Sequence, residues 1–303
     1  MPMHPAAPDD RSGLLDAFEQ IVNSIIGLGL SCREADFEKP TEYTGWTVKD
    51  QIAHVVGAQK AFAGIPRQQV DVPEYAHVRN DLERIVEMDV EARRPQPGRM
   101  VVQELAAFHP ERMEALRRSS LELDSPITVD VSGVGGMGVD SCSADGMQTG
   151  ETTFGQQLRL RTIDSWTHEQ DLRAALDAPG DLDSAGAALF TEEILGALPR
   201  IVAREAKVPA GHDVVIDVSG PVVAREGVRV REGEDGRPFG ELLYSGVDRP
   251  EGQESHEVTT IHLTTEALTR RAAGRRSVDE IHYSVTGDQD VARRVLEALV
   301  LLT

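Results

Sequence analysis

The chain is poor in lysine, and its acidic residues far outnumber its basic ones. Only four of its 31 basic residues are lysines, and 51 acidic residues leave a net charge of −20. Nucleic-acid binding relies on clustered Lys and Arg side chains that neutralise phosphates. This charge balance therefore argues against a nucleic-acid partner and suits a protein that binds a small molecule.

Cysteines and long apolar runs are also scarce. Cys32 and Cys142 are too few for a disulfide framework, and their wide separation gives no zinc-thiolate pattern. No stretch approaches the roughly 20 apolar residues of a membrane span, and the N-terminal segment lacks a basic region followed by a hydrophobic one. We expect a cytoplasmic protein without membrane contact, present as a monomer or a homodimer.

The hydrophobic pattern changes once along the 303 residues, a length that suffices for two domains. Apolar residues recur mainly at helical spacing over 13–207, whereas the alternation typical of strands dominates after residue 212. The predicted fold class is α+β multidomain. A helical bundle is expected at 13–207, and a small α+β domain with an antiparallel sheet at 212–303.

The stretch 124–151 interrupts the helical pattern. Gly133, Gly135 and Gly138 have the spacing of a dinucleotide-binding fingerprint, but that motif counts only when a helix follows directly. Turn-forming residues follow here instead. We therefore interpret the stretch as a flexible loop or a short hairpin. A second insertion-like stretch, 232–256, is predicted to be a loop because it is acidic and rich in glycine.

One helix, predicted at 154–176, carries a compact acidic and imidazole cluster. On a period of 3.6 residues, Asp164, His168 and Asp171 fall within about 60° of one another. A carboxylate and an imidazole four residues apart can bind one divalent ion, since their side-chain bases lie about 5–6 Å apart on the helix surface. A third ligand must come from another part of the chain.

His54 is the best third donor. It lies off the apolar stripe of a second helix, whose start is marked by a capping-box-like pair, Thr47 and Asp50. Small residues surround it on the helix face and leave room for a metal: Gly57, Ala58 and Ala61. A lone histidine is more often a half-buried group hydrogen-bonded to a neighbouring helix, so both interpretations stay open on the residues alone.

Two motifs resemble the mycothiol-dependent maleylpyruvate isomerase family, whose N-terminal part is a DinB-like four-helix metal-binding bundle. The first runs from Trp46 to Asp50 and leads to His54; the second runs from Asp164 to Arg173 and combines aromatic, ligand and acidic positions. The C-terminal VTGDQDVARRVLEAL, with AAGRR before it, is similar to the sterol-carrier-like domain that often follows in this family.

The resemblance implies that His54, Asp164 and His168 are the ligands of a divalent metal. Zn²⁺ is the first expectation, although His and carboxylate ligands also suit iron, nickel or manganese. The family commonly has Glu at the position of Asp164, and Asp is a legitimate zinc ligand too. Asp171 is a reserve ligand or a hydrogen-bond partner that orients His168.

Three protein ligands leave one open coordination position, as in a catalytic zinc site. The resemblance implies that mycothiol, as thiol cosubstrate, places its sulfur there, because a metal-bound thiol is deprotonated at neutral pH and the thiolate is the nucleophile. The resulting hypothesis is a metal-dependent mycothiol S-transferase or isomerase acting on a small electrophile, similar to maleylpyruvate isomerase. The sequence identifies no catalytic residue beyond the metal centre.

Arg275 and Arg276, in the AAGRR turn, are the candidate cofactor-binding residues, because an arginine can pair with a carboxylate through two hydrogen bonds. Arginines exposed at a helix end are an equally good interpretation. Two other functions also stay open. One is a metal-dependent hydrolase with water in the open position; the other is a non-enzymatic protein that binds a metal structurally and an apolar ligand in its C-terminal domain.

Overall fold

The computed structural model describes residues 3–130, 149–234, 236–243 and 257–302, and the chain forms two compact units. One unit comprises Pro8–Gly180; the other comprises Met1–Ala7 and Asp181–Thr303. The predicted α+β class is confirmed. The compact units divide after residue 180, whereas the sequence predicts a change of domain between 207 and 212; which segments fold independently stays a prediction.

The first unit is built mainly from helices. They are α1 (Arg11–Ser31), α2 (Val48–Phe62), α3 (Asp81–Glu91), α4 (Gly98–Arg118) and α5 (Phe154–Leu176). Helices α1 and α2 each pack against both α4 and α5, and α3 packs against α2. Their apolar faces meet in a common core with fully buried side chains such as Phe18, Ile52, Leu105 and Leu158.

Local sequence fixes where the two helices that carry the site begin. Helix α2 starts with a capping box, in which Thr47 accepts from the backbone N–H of Asp50 and the Asp50 carboxylate accepts from that of Thr47. Helix α5 starts with an equivalent box between Thr153 and Gln156. It ends at Asp177, whose left-handed backbone has a φ of 53°. The start of α2 and both ends of α5 match the sequence prediction.

A short two-stranded sheet leads into α5. Strand β1 (Pro126–Asp130) pairs in antiparallel fashion with β2 (Thr149–Thr153). This pairing agrees with the hairpin interpretation of this stretch. The glycines of the apparent dinucleotide fingerprint, Gly133, Gly135 and Gly138, lie outside the described residues.

The second unit combines three helices with a five-stranded sheet. Its elements are α6 (Ala185–Arg200), continued by a π-helical turn at Ile201–Glu205, β3 (His212–Ser219), β4 (Ala224–Glu232), β5 (Pro238–Leu242), β6 (Glu257–Thr264), α7 (Thr265–Ala272), β7 (Tyr283–Thr286) and α8 (Gln289–Ala298). The strand order is β5-β4-β3-β6-β7. The pairs are antiparallel as predicted, except that β3 and β6 are parallel.

Strand β5 lies in the stretch that the sequence suggested was a loop. Its residues do not alternate between apolar and polar types, and it includes Gly240. A Cβ at Gly240 would lie 2.5 Å from the carbonyl oxygen of Pro199, so the strand needs glycine to approach α6 this closely. Among the described helices of both units, none combines the length and hydropathy needed to cross a bilayer.

Candidate metal centre

Three side chains from two helices converge inside the first unit. His54 of α2 and Asp164 and His168 of α5 each place one potential ligand atom within 4.8 Å of the others. His54 Nε2 lies 3.6 Å from Asp164 Oδ2, and His168 Nε2 lies 3.5 Å from Asp164 Oδ1. Ligands about 2.0–2.2 Å from a tetrahedral zinc ion are separated by about 3.4 Å. The structure thus brings together the three residues that the resemblance implies as ligands.

His54 lacks the partners that a buried histidine normally has. The residue is only 5% exposed, and neither ring nitrogen hydrogen-bonds to any residue that the structure describes. A buried polar atom without a partner destabilises a fold by about 1–3 kcal/mol. A metal ion would be such a partner, so the orphaned ring fits a ligand better than the alternative of a structural histidine.

Gln51 determines which nitrogen of His168 carries the proton. The Thr41 hydroxyl donates to the Trp46 carbonyl at 3.0 Å and so accepts from Gln51 Nε2 at 2.8 Å. The Gln51 amide oxygen therefore faces His168 Nδ1, at 2.5 Å. Because a carbonyl oxygen only accepts, Nδ1 holds the proton and Nε2 presents its lone pair to the cluster.

Asp171 does not supply the orienting hydrogen bond that the sequence suggested for it. Its Oδ2 lies 3.7 Å from His168 Nδ1, which is beyond hydrogen-bonding distance. Sequence reasoning missed Gln51, which takes this role and is fully buried. A signal was present, because Gln51 lies on the apolar stripe of α2 with Val48 and Val55, where a polar residue needs a partner.

Trp46 covers the two imidazoles. Its ring centroid lies 5.1 Å from that of His54 and 5.9 Å from that of His168. The indole Nε1 donates to Glu87 Oε2 at 2.8 Å, and Arg94 pairs with the other oxygen of this buried carboxylate at 2.6 Å. The indole is therefore fixed in place, where it shields the histidines from water.

The charge states of the cluster suit a metal. Burial raises the pKa of the Asp164 carboxyl, but Arg161 and the two neighbouring imidazoles outweigh burial and hold this pKa well below its usual range. Burial lowers the pKa of His168, and so does His54, whereas Asp164 and Asp171 act in the opposite direction. An ionised carboxylate and a neutral imidazole are the forms that bind a metal ion.

The two predicted cofactor-binding arginines lie in the second unit, just after α7. Arg275 Nη1 donates to the carbonyl oxygen of Ala273 at 2.7 Å, and Arg276 Nη1 pairs with Glu266 Oε1 at 3.0 Å. The Arg276 guanidinium thus already has a carboxylate partner. A role of either residue in cofactor binding stays a prediction.

Comparisons with known proteins support the resemblance. Residues 18–135 match the model of the mycothiol maleylpyruvate isomerase N-terminal domain. A comparison with curated proteins gives no significant match.

Three similar solved structures can be named. A crystal structure of mycothiol-dependent maleylpyruvate isomerase is 16% identical with a TM-score of 0.46, and one of a mutant of that enzyme is 14% identical with a TM-score of 0.49; each comparison covers 91% of this chain and 93% of the other. Colibactin self-resistance protein ClbS in complex with a dsDNA is 12% identical with a TM-score of 0.38, over 58% of this chain and 100% of that chain.

The family match and the geometry support different parts of the site. The matched residues include Trp46, Gln51 and His54 but end before α5, so the family model does not reach Asp164 and His168, which the geometry brings to His54. The sterol-carrier-like character of the C-terminal domain stays a prediction. Residues 18–135 are thus similar to the mycothiol maleylpyruvate isomerase N-terminal domain, and this match covers less than half of the chain.

Proposed function

We propose that this protein is a metal-dependent enzyme that uses mycothiol to isomerise, or to form an S-conjugate of, a small electrophile. The observation that carries the proposal is the cluster of the buried His54 and His168 with the half-buried Asp164, in which both nitrogens of His54 lack a hydrogen-bond partner among the described residues. The family of the N-terminal domain supports the choice of thiol. Zinc is the proposed metal because two imidazoles and one carboxylate are common zinc ligands.

Each side chain of the centre has a separate task. A divalent ion held by three protein ligands would leave one position open and would lower the pKa of a thiol that fills it. Asp164 supplies the negative charge, Gln51 keeps the lone pair of His168 Nε2 available, and Trp46 limits the access of water. Arg161, with Nη1 3.6 Å from Asp164 Oδ2, keeps that carboxylate ionised.

Cobalt substitution tests the proposal directly. We expect the Co²⁺-loaded protein to gain an intense thiolate-to-cobalt absorption band when mycothiol is added, and no such band with S-methyl mycothiol, which cannot form a thiolate. His54→Ala and His168→Ala should lose the band. His262→Ala is the matched control, because this histidine lies in the second unit with a side chain that is 43% exposed.

The two competing functions predict other results. A hydrolase with water in the open position binds cobalt stoichiometrically but gives no band with mycothiol. A sequestering protein gives no band and retains an apolar ligand through purification. Either outcome would refute the use of a thiol by this chain.

A further inference from the structure

A cavity of about 360 Å³ opens within the helical unit next to the candidate metal centre. Its volume lies in the range of small-molecule pockets, about 300–1,000 Å³. Two features connect it with the centre. Ala58 lines the cavity one helical turn after His54, and Arg161 lines it while its Nη1 lies 3.6 Å from Asp164. Much of the wall is apolar, with side chains that include Ala61, Phe62, Leu116 and Phe154.

The charged lining of this cavity is entirely positive. Three arginines, Arg67, Arg112 and Arg161, contribute to the wall, and none of the described residues that line it is acidic. This is unusual for a chain whose net charge is −20. Arg67 is balanced by Asp89, with Nε and Oδ2 2.9 Å apart, and Arg161 lies beside Asp164.

Arg112 is the exception, because no carboxylate in the described part of the chain pairs with it. Its Nη2 donates to the carbonyl oxygen of Phe62 at 2.9 Å, and the guanidinium lies 4.7 Å from the centroid of the Phe62 ring. The Nε atom is buried and has no hydrogen-bond partner among the described residues. Burial lowers the pKa of Arg112, and no anion in the described ranges opposes this effect. A partly buried cation of this kind is a preformed partner for an anion.

We propose that the cavity is an organic-anion site of the N-terminal unit. Arg112 pairs with the carboxylate of a small organic acid, and the aromatic and aliphatic wall binds the apolar part of the same molecule. Only the role of this acid as the substrate rests on the proposed function; anion binding itself does not. Because Arg161 contacts both the cavity and Asp164, a bound acid lies next to the candidate metal centre.

Calorimetric titration with benzoate tests the site, and neutral benzamide of nearly the same shape is the control ligand. The titration is made on the full chain as purified and again after chelation of its metal, in buffer of low chloride. We expect benzoate to bind in both forms and benzamide to bind much more weakly. Arg112→Gln should weaken benzoate binding by roughly 10-fold to 100-fold, the loss expected for a hydrogen bond to a charged group.

Two further variants distinguish charge from structure. Arg112→Lys keeps the positive charge and should retain more benzoate binding than Arg112→Gln. Arg118→Gln, at the exposed end of the same helix, should bind benzoate like the unmodified protein. If Arg112→Gln does not fold, the comparison of benzoate with benzamide on the unmodified chain still shows whether the cavity prefers an anion to a neutral ligand.

Equal binding of the two ligands, no benzoate binding, or unchanged binding in folded Arg112→Gln would each overturn the site. A failed benzoate titration with an intact cobalt–thiol band rejects the cavity and leaves the proposed function. Benzoate binding that depends on Arg112, in a protein without that band, supports the anion site in the cavity and rejects the proposed function.

Discussion

Two clusters of charged and polar side chains, one in each unit, differ in how completely their polar atoms are hydrogen-bonded. In the second unit, Arg229 Nε and Nη2 donate to the two oxygens of Asp213 at 2.8 and 2.7 Å, and the side chains are 5% and 2% exposed. In the first unit, the side chains of His54 and His168 are 6% and 7% exposed, whereas that of Asp164 is half-buried. Their closest approaches are nevertheless 3.5 and 3.6 Å, and His54 has no hydrogen-bond partner among the described residues.

The comparison separates structural from functional burial of polar groups. The Arg229–Asp213 pair joins residues directly opposite each other on β3 and β4, and its two parallel hydrogen bonds use the donors and acceptors that face each other. Such a pair needs nothing further. The histidine cluster leaves both ring nitrogens of His54 without a hydrogen-bond partner among the described residues, which destabilises the fold unless another group binds there.

Breaking the buried Arg229–Asp213 pair should have the largest effect on stability. Asp213→Ala removes the carboxylate that accepts two hydrogen bonds from the buried Arg229, so we expect the free energy of unfolding to fall by about 3–5 kcal/mol in urea denaturation. The exposed pair Asp279–Arg293 gives the matched control, since Asp279→Ala removes a carboxylate that water already screens. Similar losses in the two variants would show that the buried pair does not stabilise the second unit as described.

Zinc binding to the cluster of His54, Asp164 and His168 should stabilise the fold by a somewhat smaller amount. Zinc at about 100 times its Kd should raise the free energy of unfolding of metal-free protein by about 2.7 kcal/mol. The measurement is denaturation with and without zinc. His54→Ala should abolish the increase, whereas Asp213→Ala should keep it because that carboxylate is not part of the cluster. An equal zinc effect in His54→Ala would contradict the assignment.

Loss of the contact between Gln51 and His168 should lower the metal affinity of the site without removing a ligand. Gln51→Ala frees His168 to rotate and to change tautomer, and loss of a residue that orients a ligand typically lowers metal affinity about 10-fold to 100-fold. A competition titration with a zinc indicator measures this change. The matched control is Gln59→Ala, because Gln59 is a buried glutamine of the same helix that contacts His109 at 3.1 Å instead. Equal affinities in the two variants would exclude an orienting role for Gln51.

The smallest expected effect concerns the pH dependence of stability. Burial lowers the pKa of His109, and Glu19 opposes this only in part, so the folded protein keeps the ring neutral where the unfolded chain binds a proton. The contribution of His109 is therefore complete above the ordinary histidine pKa of about 6.5 and is lost as the pH falls below that value. The free energy of unfolding should decline less from pH 7 to pH 5 in His109→Gln. A steeper decline in that variant would contradict the claim that the folded state lowers the pKa of His109.

Periodicity predicted the parts of the site that lie within one helix. The bounds of α5, the capping box of α2 and the shared face of Asp164 and His168 all follow from local patterns, because helical geometry alone fixes them. The convergence of His54 with α5 required the family resemblance in addition. Tertiary packing brings these helices together, and no local pattern encodes it.

Features that depend on contacts between distant segments were not predicted. The Gln51–His168 contact joins residues 117 positions apart, and the cavity at Arg112 is formed by several elements, including α2, α4 and α5. Strand β5 was missed because its pairing with β4, rather than its own alternation, defines it. The sequence could therefore predict candidate ligands but not the side chains that orient them.

Metal content measures the central claim most directly. Elemental analysis of the purified protein should give a stoichiometric amount of a divalent metal in the unmodified chain and in His262→Ala, and little or none in His54→Ala and His168→Ala. Unchanged metal content in both of the latter variants, with the fold intact by circular dichroism, would contradict the account.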